Sequence, residues 1–248
     1  MKKTFLLLIT IMVLFSLSGF SFLQAEIYIK TDSHTDAFEM MGKKNPAKDE
    51  SSEQWIGDAR MAFTGKGQTT VIDLGEKTVY LIYHQDKAYV EAPLPLDMKK
   101  LMPEEMLAML SMWKIKANVA PNGETQKIGQ WNCTGYNMDI NMGMLNIKIK
   151  TWATPEVPFD WKSFTEKMYP TLLQAVMGQG MDEETLNQYK KIDGYQVATS
   201  VTVNFLEQEI KTASQIVEIS DKPAPPGIFS VPAGYKKLEK LVMSKWGI

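Results

Sequence analysis

Short runs of alternating apolar and polar residues, cut at close intervals by turn residues, constrain this chain more than any other feature. "TTVIDL", "TVYLIYH" and "KAYVEA" follow one another with little more than "GEK" and "QDK" between them. Connections that tight join antiparallel neighbours, because a parallel crossover needs a dozen or more residues. In "EQWIGDARMAFTG" the alternation sets Trp55, Gly57, Ala59, Met61 and Phe63 on one side and Asp58 and Arg60 on the other. Farther on, "KIKANVA" and "ETQKIGQW" flank Pro121-Asn122-Gly123, a strong turn signal. "GYQVATSVTVNF" and "IKTASQIVEIS" flank "LEQE" and read as another long hairpin. The polar stretch 42–52, "GKKNPAKDESS", reads as a loop.

Three helices are expected among the strands. Pro103 suits the first position of a helix reaching Trp113, with Glu104 and Glu105 in its first turn. Asp160 is placed to cap "WKSFTEKMYPTLLQAVM", which Pro170 must kink or split. "DEETLNQYKKI" has acids first, lysines last and Gly194 just beyond, the order that suits a helix dipole. Long antiparallel strands with a few helices on one face make an α+β layer architecture.

The stretch from Trp131 to Trp152 carries the chain's one cysteine and a dense set of methionines. Tyr136, Met138, Ile140, Met142 and Met144 share one parity, and Gly135, Asn137, Asp139 and Asn141 the other. After Leu145 the phase changes, with Ile147 and Ile149 apolar and Lys148 and Lys150 charged, so a turn or bulge must intervene. A turn at Met142-Gly143 sets Ile140 opposite Leu145, Met138 opposite Ile147 and Tyr136 opposite Ile149. One register thus gathers six apolar side chains on a single face. Thioether sites for copper need several sulfurs converging on one point, and Cys133 has the parity opposite to Met138. The plainer reading is a flexible apolar lining, with Cys133 a half-buried packing residue. Met102, Met106 and Met109 form a second stripe, at helical spacing, and Trp113 closes it. That helix is either core-facing or an adaptable lid.

Residues 1–25 set the expected compartment. Lys2 and Lys3 precede an apolar run from Phe5 to Phe15, then "SFLQA" ends at Ala25. That order reads as a secretory signal peptide cleaved after Ala25, leaving residues 26–248 as one domain in the periplasm. The apolar run is short of the roughly 18 residues of a spanning helix. No cysteine lies near the cut to carry a lipid anchor. Without Lys2 and Lys3 the chain holds 25 basic and 29 acidic residues, a net charge of −4. No basic block resembles a nucleic-acid footprint, so no nucleic-acid partner is expected. Arg60 is the sole arginine, which disfavours a phosphate-rich ligand.

Catalytic constellations are thin. There is no G-x-S-x-G, no phosphate-cradling glycine loop and no H-E-x-x-H, so neither an enzyme nor a cofactor is expected. His34 and Asp36 stand two apart and share a face if extended. With His84 they would make a metal triad, but solvated strand-end residues are the plainer reading and no metal is expected. The tail "YKKLEKLVMSKWGI" sets Leu238, Leu241, Val242 and Trp246 against Lys236, Lys237, Lys240 and Lys245. It either docks on the chain's own sheet or meets a membrane surface or envelope partner.

The run "WIGDARMAFTGKGQTTVIDLGEKTVYLIYHQDKAYVE", with "KIGQWNCTGYNMDI", "KTWAT" and "FSVPAGYKK", resembles an uncharacterised family of secreted bacterial domains. That family is similar to the periplasmic lipoprotein carriers and receptors of the LolA/LolB type. The resemblance implies a curved antiparallel sheet, an incomplete β-barrel, with helices covering its concave apolar face. It also implies a cavity of the kind that carrier superfamily uses for acyl chains.

The expected function is therefore a periplasmic binding or carrier protein for a lipid or other apolar small molecule. Its expected lining is Tyr136, Met138, Ile140, Leu145, Ile147 and Ile149, under Met102, Met106, Met109 and Trp113. The alternatives are an envelope interaction module whose core is filled by its own side chains, and a metal-binding protein using the histidines or methionines.

Overall fold

The computed structural model describes residues 26–40, 42–102, 116–142, 145–168, 183–205 and 208–241. The chain opens with β1 (Ile27–Thr35), a small hairpin of β2 (Phe38–Met40) and β3 (Lys43–Asn45), and β4 (Lys48–Ile56). Then comes a meander of β5 (Arg60–Gly65), β6 (Gln68–Asp73), β7 (Thr78–Tyr83) and β8 (Ala88–Pro93), followed by α1 (Met98–Leu101). A second meander contains β9 (Lys116–Ile128), β10 (Trp131–Met142) and β11 (Leu145–Thr154). The turn α2 (Trp161–Ser163) runs into a π-helical turn (Phe164–Met168), and α3 (Glu183–Tyr189) leads to β12 (Tyr195–Phe205), β13 (Gln208–Ser220) and β14 (Lys236–Leu238).

Twelve strands join one sheet in the order β14-β8-β7-β6-β5-β4-β1-β13-β12-β11-β10-β9. Every neighbouring pair is antiparallel except β14 on β8, which is parallel. β1 is the keystone, because it pairs along its whole length with β4 on one side and β13 on the other. It thereby joins the two meanders.

The architecture corrects the α+β expectation. The described helices have four, three and seven residues, plus a five-residue π turn, so they form no layer over a face. The fold is mainly β, one large mixed sheet whose faces are covered by irregular chain and side chains as much as by helical turns. Asp160 does cap α2, its side chain accepting from the Ser163 N–H at 3.0 Å. The expected helix from Pro103 to Trp113, the part of the second expected helix beyond residue 168, and the segment 1–25 lie outside the described residues. Among the described residues no helix is long and apolar enough to cross a membrane.

Four local expectations are also corrected. Gly57-Asp58-Ala59 is a loop, closed by the Gly57 N–H on the Arg60 carbonyl at 2.8 Å, so "EQWIGDARMAFTG" is a hairpin and not one strand. Trp55 therefore pairs with Ala62, on the face opposite Met61 and Phe63. The polar run 42–52 is not a loop: most of it pairs, as β3 and the start of β4, because ladder hydrogen bonds hold a strand without an apolar face. Pro121-Asn122-Gly123 does not turn the chain. β9 runs through it as an edge strand, and the three residues Asn122, Gly123 and Glu124 bulge opposite Gly135. Finally, Ile140 pairs with Ile147 and Met138 with Ile149, two residues away from the expected register. A slip of two keeps side-chain parity, so the apolar face survives with different partners.

The core follows from the alternation. In β7, Val79, Leu81 and Tyr83 point to one face and Tyr80 and Ile82 to the other, and both are covered. The first face, hereafter inner, meets Leu96, Leu101, Met102 and Leu241. The other, hereafter outer, meets Ile228, Phe229, Val231 and Tyr235 from the chain after β13. The inner face continues through Ile29, Ile56 and Met61, which pack with Val157 and Phe164. At its far end Met138, Ile140 and Val119 pack with Tyr189 and Ile192, at and beyond the end of α3.

Candidate functional site

The inner face holds an open trough of about 600 Å³ where β1 and β4 meet the β5–β8 meander. Its apolar end is Ile72, Val79, Leu81, Leu96, Leu101 and Leu241. Its polar end is Ser33, Thr35, Glu50, Ser52, Gln68 and Thr70. The change of character has a simple origin: β7 and β8 present apolar residues to this face, whereas β1, β4 and the first half of β6 present Ser, Thr, Glu and Gln. Leu241 is drawn in by its N–H on the Leu101 carbonyl at 2.9 Å, which clips the chain after β14 onto α1. The described part of the basic tail thus lies on the chain's own sheet, as strand β14 and buried Leu241.

Two features give the trough its chemistry. Tyr83 lines it and is 2% exposed, and its hydroxyl has no hydrogen-bond partner among the described residues. A buried hydroxyl left unpaired costs about 1–3 kcal/mol, a cost that a hydrogen-bond partner at that atom would relieve. The second feature is Glu50, which Lys48 and Lys66 both bind, Lys66 at 2.6 Å. Burial pushes the Glu50 carboxyl up, but the hydrogen bonds and charges of the two lysines outweigh it and hold the group below the usual range. Lys66 reaches the trough from a tight turn with φ of 53°, next to Gly67 at 74°. The mouth therefore carries two cations around one carboxylate.

The residues expected to line a cavity are distributed unevenly. Tyr136, Met138 and Ile140 are buried, Ile147 and Ile149 pack beside them, and α3 closes over the group. The Tyr136 hydroxyl accepts from the Asp193 N–H at 3.2 Å, and Gln188 accepts from the Val119 N–H at 3.2 Å. At that end of the inner face Tyr189 and Ile192 pack over the group, and the trough is at the other end. Met102 is buried in the cluster that floors the trough. The Leu145 side chain, Met106, Met109 and Trp113 lie outside the described residues. Sequence reasoning missed Ile72, Leu81 and Tyr83, although "TVYLIYH" is apolar at both parities, which is the mark of a strand covered on both faces.

The other candidate groups are separated. His34 lies on the outer face, with Nδ1 2.7 Å from Asp49 and Nε2 3.4 Å from Asp36. Carboxylates on opposite ring nitrogens do not converge on one point as metal ligands must. His84 is elsewhere, 2.8 Å from the Thr69 hydroxyl and 3.2 Å from the Tyr235 hydroxyl. Among the described residues no group of three His, Cys, Asp or Glu is placed to hold a metal ion. Cys133 is buried at 3% exposure, and burial raises its thiol pKa. Arg60 stacks over the Phe229 ring at 4.9 Å, on the outer face and away from the trough.

The hydrogen bond to Asp49 raises the His34 pKa above 6.5, with smaller help from the charges of Asp49 and Asp36 against a desolvation effect of opposite sign. A raised folded pKa means the pair's stabilisation is fully present below pH 6.5 and is lost as pH rises through the raised value. NMR titration should show His34 deprotonating above pH 6.5, and Asp49→Asn should bring it back toward that value. An unshifted wild-type titration would show the pair to be unimportant in solution.

No family model matches the chain, and no curated protein sequence matches it either. Among solved structures it aligns with "Structure of PNGF-II in C2 space group" at 11% identity, over 88% of this chain and 32% of that one, with a TM-score of 0.37. It also aligns with the ywiB protein from Bacillus subtilis at 7% identity, over 78% of this chain and 94% of that one, with a TM-score of 0.19. The chain thus spans about a third of the first structure's length, and neither score reaches the level of a shared fold.

Proposed function

We propose that this chain is a periplasmic, non-enzymatic binding or carrier protein for a single-chain amphiphile held in the inner-face trough. The observation that carries the reading is the Tyr83 hydroxyl, unpaired among the described residues, at the point where the apolar wall of the trough meets Gln68 of its polar end. The cavity, about 600 Å³, falls within the roughly 300–1,000 Å³ of small-molecule pockets. Each buried methylene contributes roughly 0.8 kcal/mol, so about ten would supply roughly 8 kcal/mol. That offsets the low end of the roughly 4–15 kcal/mol that association costs. The polar end, with Lys66, Gln68 and Thr70, would then meet the head group. Export of the chain rests on the order of residues 1–25, and the likeness to LolA/LolB-type carriers comes only through the uncharacterised secreted family whose sequence runs these residues resemble.

A second reading, an envelope interaction module with a self-filled core, draws support from the closed packing around Met138. A fluorescent polyene fatty acid separates the two. Saturable binding, displaced by unlabelled fatty acid, supports a carrier, and no binding sinks it. Tyr83→Phe sharpens the test. Deleting an unsatisfied buried hydroxyl should stabilise the empty protein by about 1 kcal/mol while weakening probe binding several-fold. Urea unfolding and the same titration read both effects. A Tyr83→Phe protein that is destabilised would mean the hydroxyl already has a partner.

A further inference from the structure

The outer face carries a second trough, of about 700 Å³, on the opposite side of the sheet from the first. Two cross-strand rows build it. One runs Ser51–Asp32–Gln215–Ala198–Trp152–Gly135 across β4, β1, β13, β12, β11 and β10. The next runs Asp49–His34–Ala213–Ser200–Lys150–Asn137 across the same six strands. The floor is low because β12 and β13 present Ala198, Ser200 and Ala213, while the flanking strands present large side chains. Trp152 stands at one wall, and Asp32, His34 and Asp49 at the other.

The Trp152 wall is held in place. A Cβ at Gly135 would come within 2.9 Å of the Trp152 ring, so the glycine lets the indole lie against β10. Lys150 sits over the ring at 5.0 Å and is itself held by Glu124 at 2.7 Å. Opposite, the Ser51 hydroxyl donates to Asp32 at 2.6 Å, which orients that carboxylate.

We infer that this trough is a binding site for a neutral saccharide. Trp152 is half-buried, with Lys150 over one face of its ring, and it lines the trough with the remaining surface. An indole offers an apolar surface to the C–H face of a sugar ring. Carboxylate, amide, hydroxyl and imidazole groups supply the mixed donors and acceptors that vicinal hydroxyls need. Gln126 and Gln215 add two amides to the lining. The charges decide against an anionic sugar: Asp32 and the paired Asp49 and His34 face the trough, and Lys150 beside it is neutralised by Glu124. A volume of about 700 Å³ accommodates a short oligosaccharide.

The test is an NMR titration of the full chain with cello-, malto- and chito-oligosaccharides at millimolar concentration, with polygalacturonate as the anionic arm. At least one neutral sugar should perturb the Trp152 indole N–H resonance and bind saturably. Ala213→Trp, which fills the floor from an exposed position, should weaken that binding at least about tenfold. Trp152→Ala should do the same, whereas Thr70→Trp, on the other face, should leave it unchanged. The inference is overturned if no neutral sugar binds, if binding survives Ala213→Trp in a protein with wild-type thermal unfolding, or if polygalacturonate binds equally well.

Discussion

Gly194→Ala is expected to destabilise the protein by about 3–5 kcal/mol, among the largest effects of any single substitution. Gly194 enters β12 with φ of 127°, a conformation that side chains other than glycine's rarely adopt. A Cβ there would meet the Thr154 backbone, 2.6 Å from its carbonyl carbon and 2.8 Å from its nitrogen. Thr154 is itself fully buried, so that backbone has nowhere to move. The strain and the clash therefore add. Gly234 is the control: its φ is 80°, but nothing lies within 4 Å of its Cβ position. Gly234→Ala should cost only about 1 kcal/mol, from backbone strain alone. At roughly 2–4 °C per kcal/mol for a chain of this size, Gly194→Ala should lower Tm by about 6–20 °C. Thermal unfolding followed by circular dichroism measures the difference, and equal losses for the two variants would refute the close approach to Thr154.

Thr70→Trp is expected to abolish ligand binding in the inner trough while changing stability little. Thr70 is half-buried and sits between Phe63 on β5 and Leu81 on β7. It lies among the groups that line the trough, where polar and apolar ends meet. An indole there would occupy the space proposed for an acyl chain, and tryptophan suits a strand position facing open volume. The fluorescent fatty-acid titration should fall to baseline. Retained affinity in the variant would place any ligand elsewhere.

The strands were legible because their alternation is strong, and "TTVIDL", "TVYLIYH" and "KAYVEA" became β6, β7 and β8. Which face a residue joins was less so, because it depends on loop length. Gly57-Asp58-Ala59 looked like strand continuity, and that one loop sends Trp55 to the outer face and Met61 to the inner. Pro121-Asn122-Gly123 shows the converse, a turn signal that an edge strand absorbs as a bulge. In the β10–β11 hairpin the greasy face was legible and the register was not, since a slip of two leaves the pattern intact.

The site was harder to see than the fold. Met138 and its neighbours attracted notice by their sulfur, yet α3 seals them, and no local pattern announces a helix that packs from nearly fifty residues downstream. The trough's members come from β1, β4, β6, β7, α1 and the chain after β14, and only the keystone role of β1 brings them together. His34 finds Asp49 for the same reason, across the excursion of β2 and β3. That the Tyr83 hydroxyl meets no partner among the described residues is also a property of the assembled fold.

The central claim, that the inner trough holds a guest, is tested most directly by native mass spectrometry of the protein purified without detergent or added lipid. The account predicts wild-type protein carrying one amphiphile of discrete mass, recovered by organic extraction, and Thr70→Trp protein at the bare chain mass. Wild-type protein that is ligand-free and takes up no added fatty acid would contradict it.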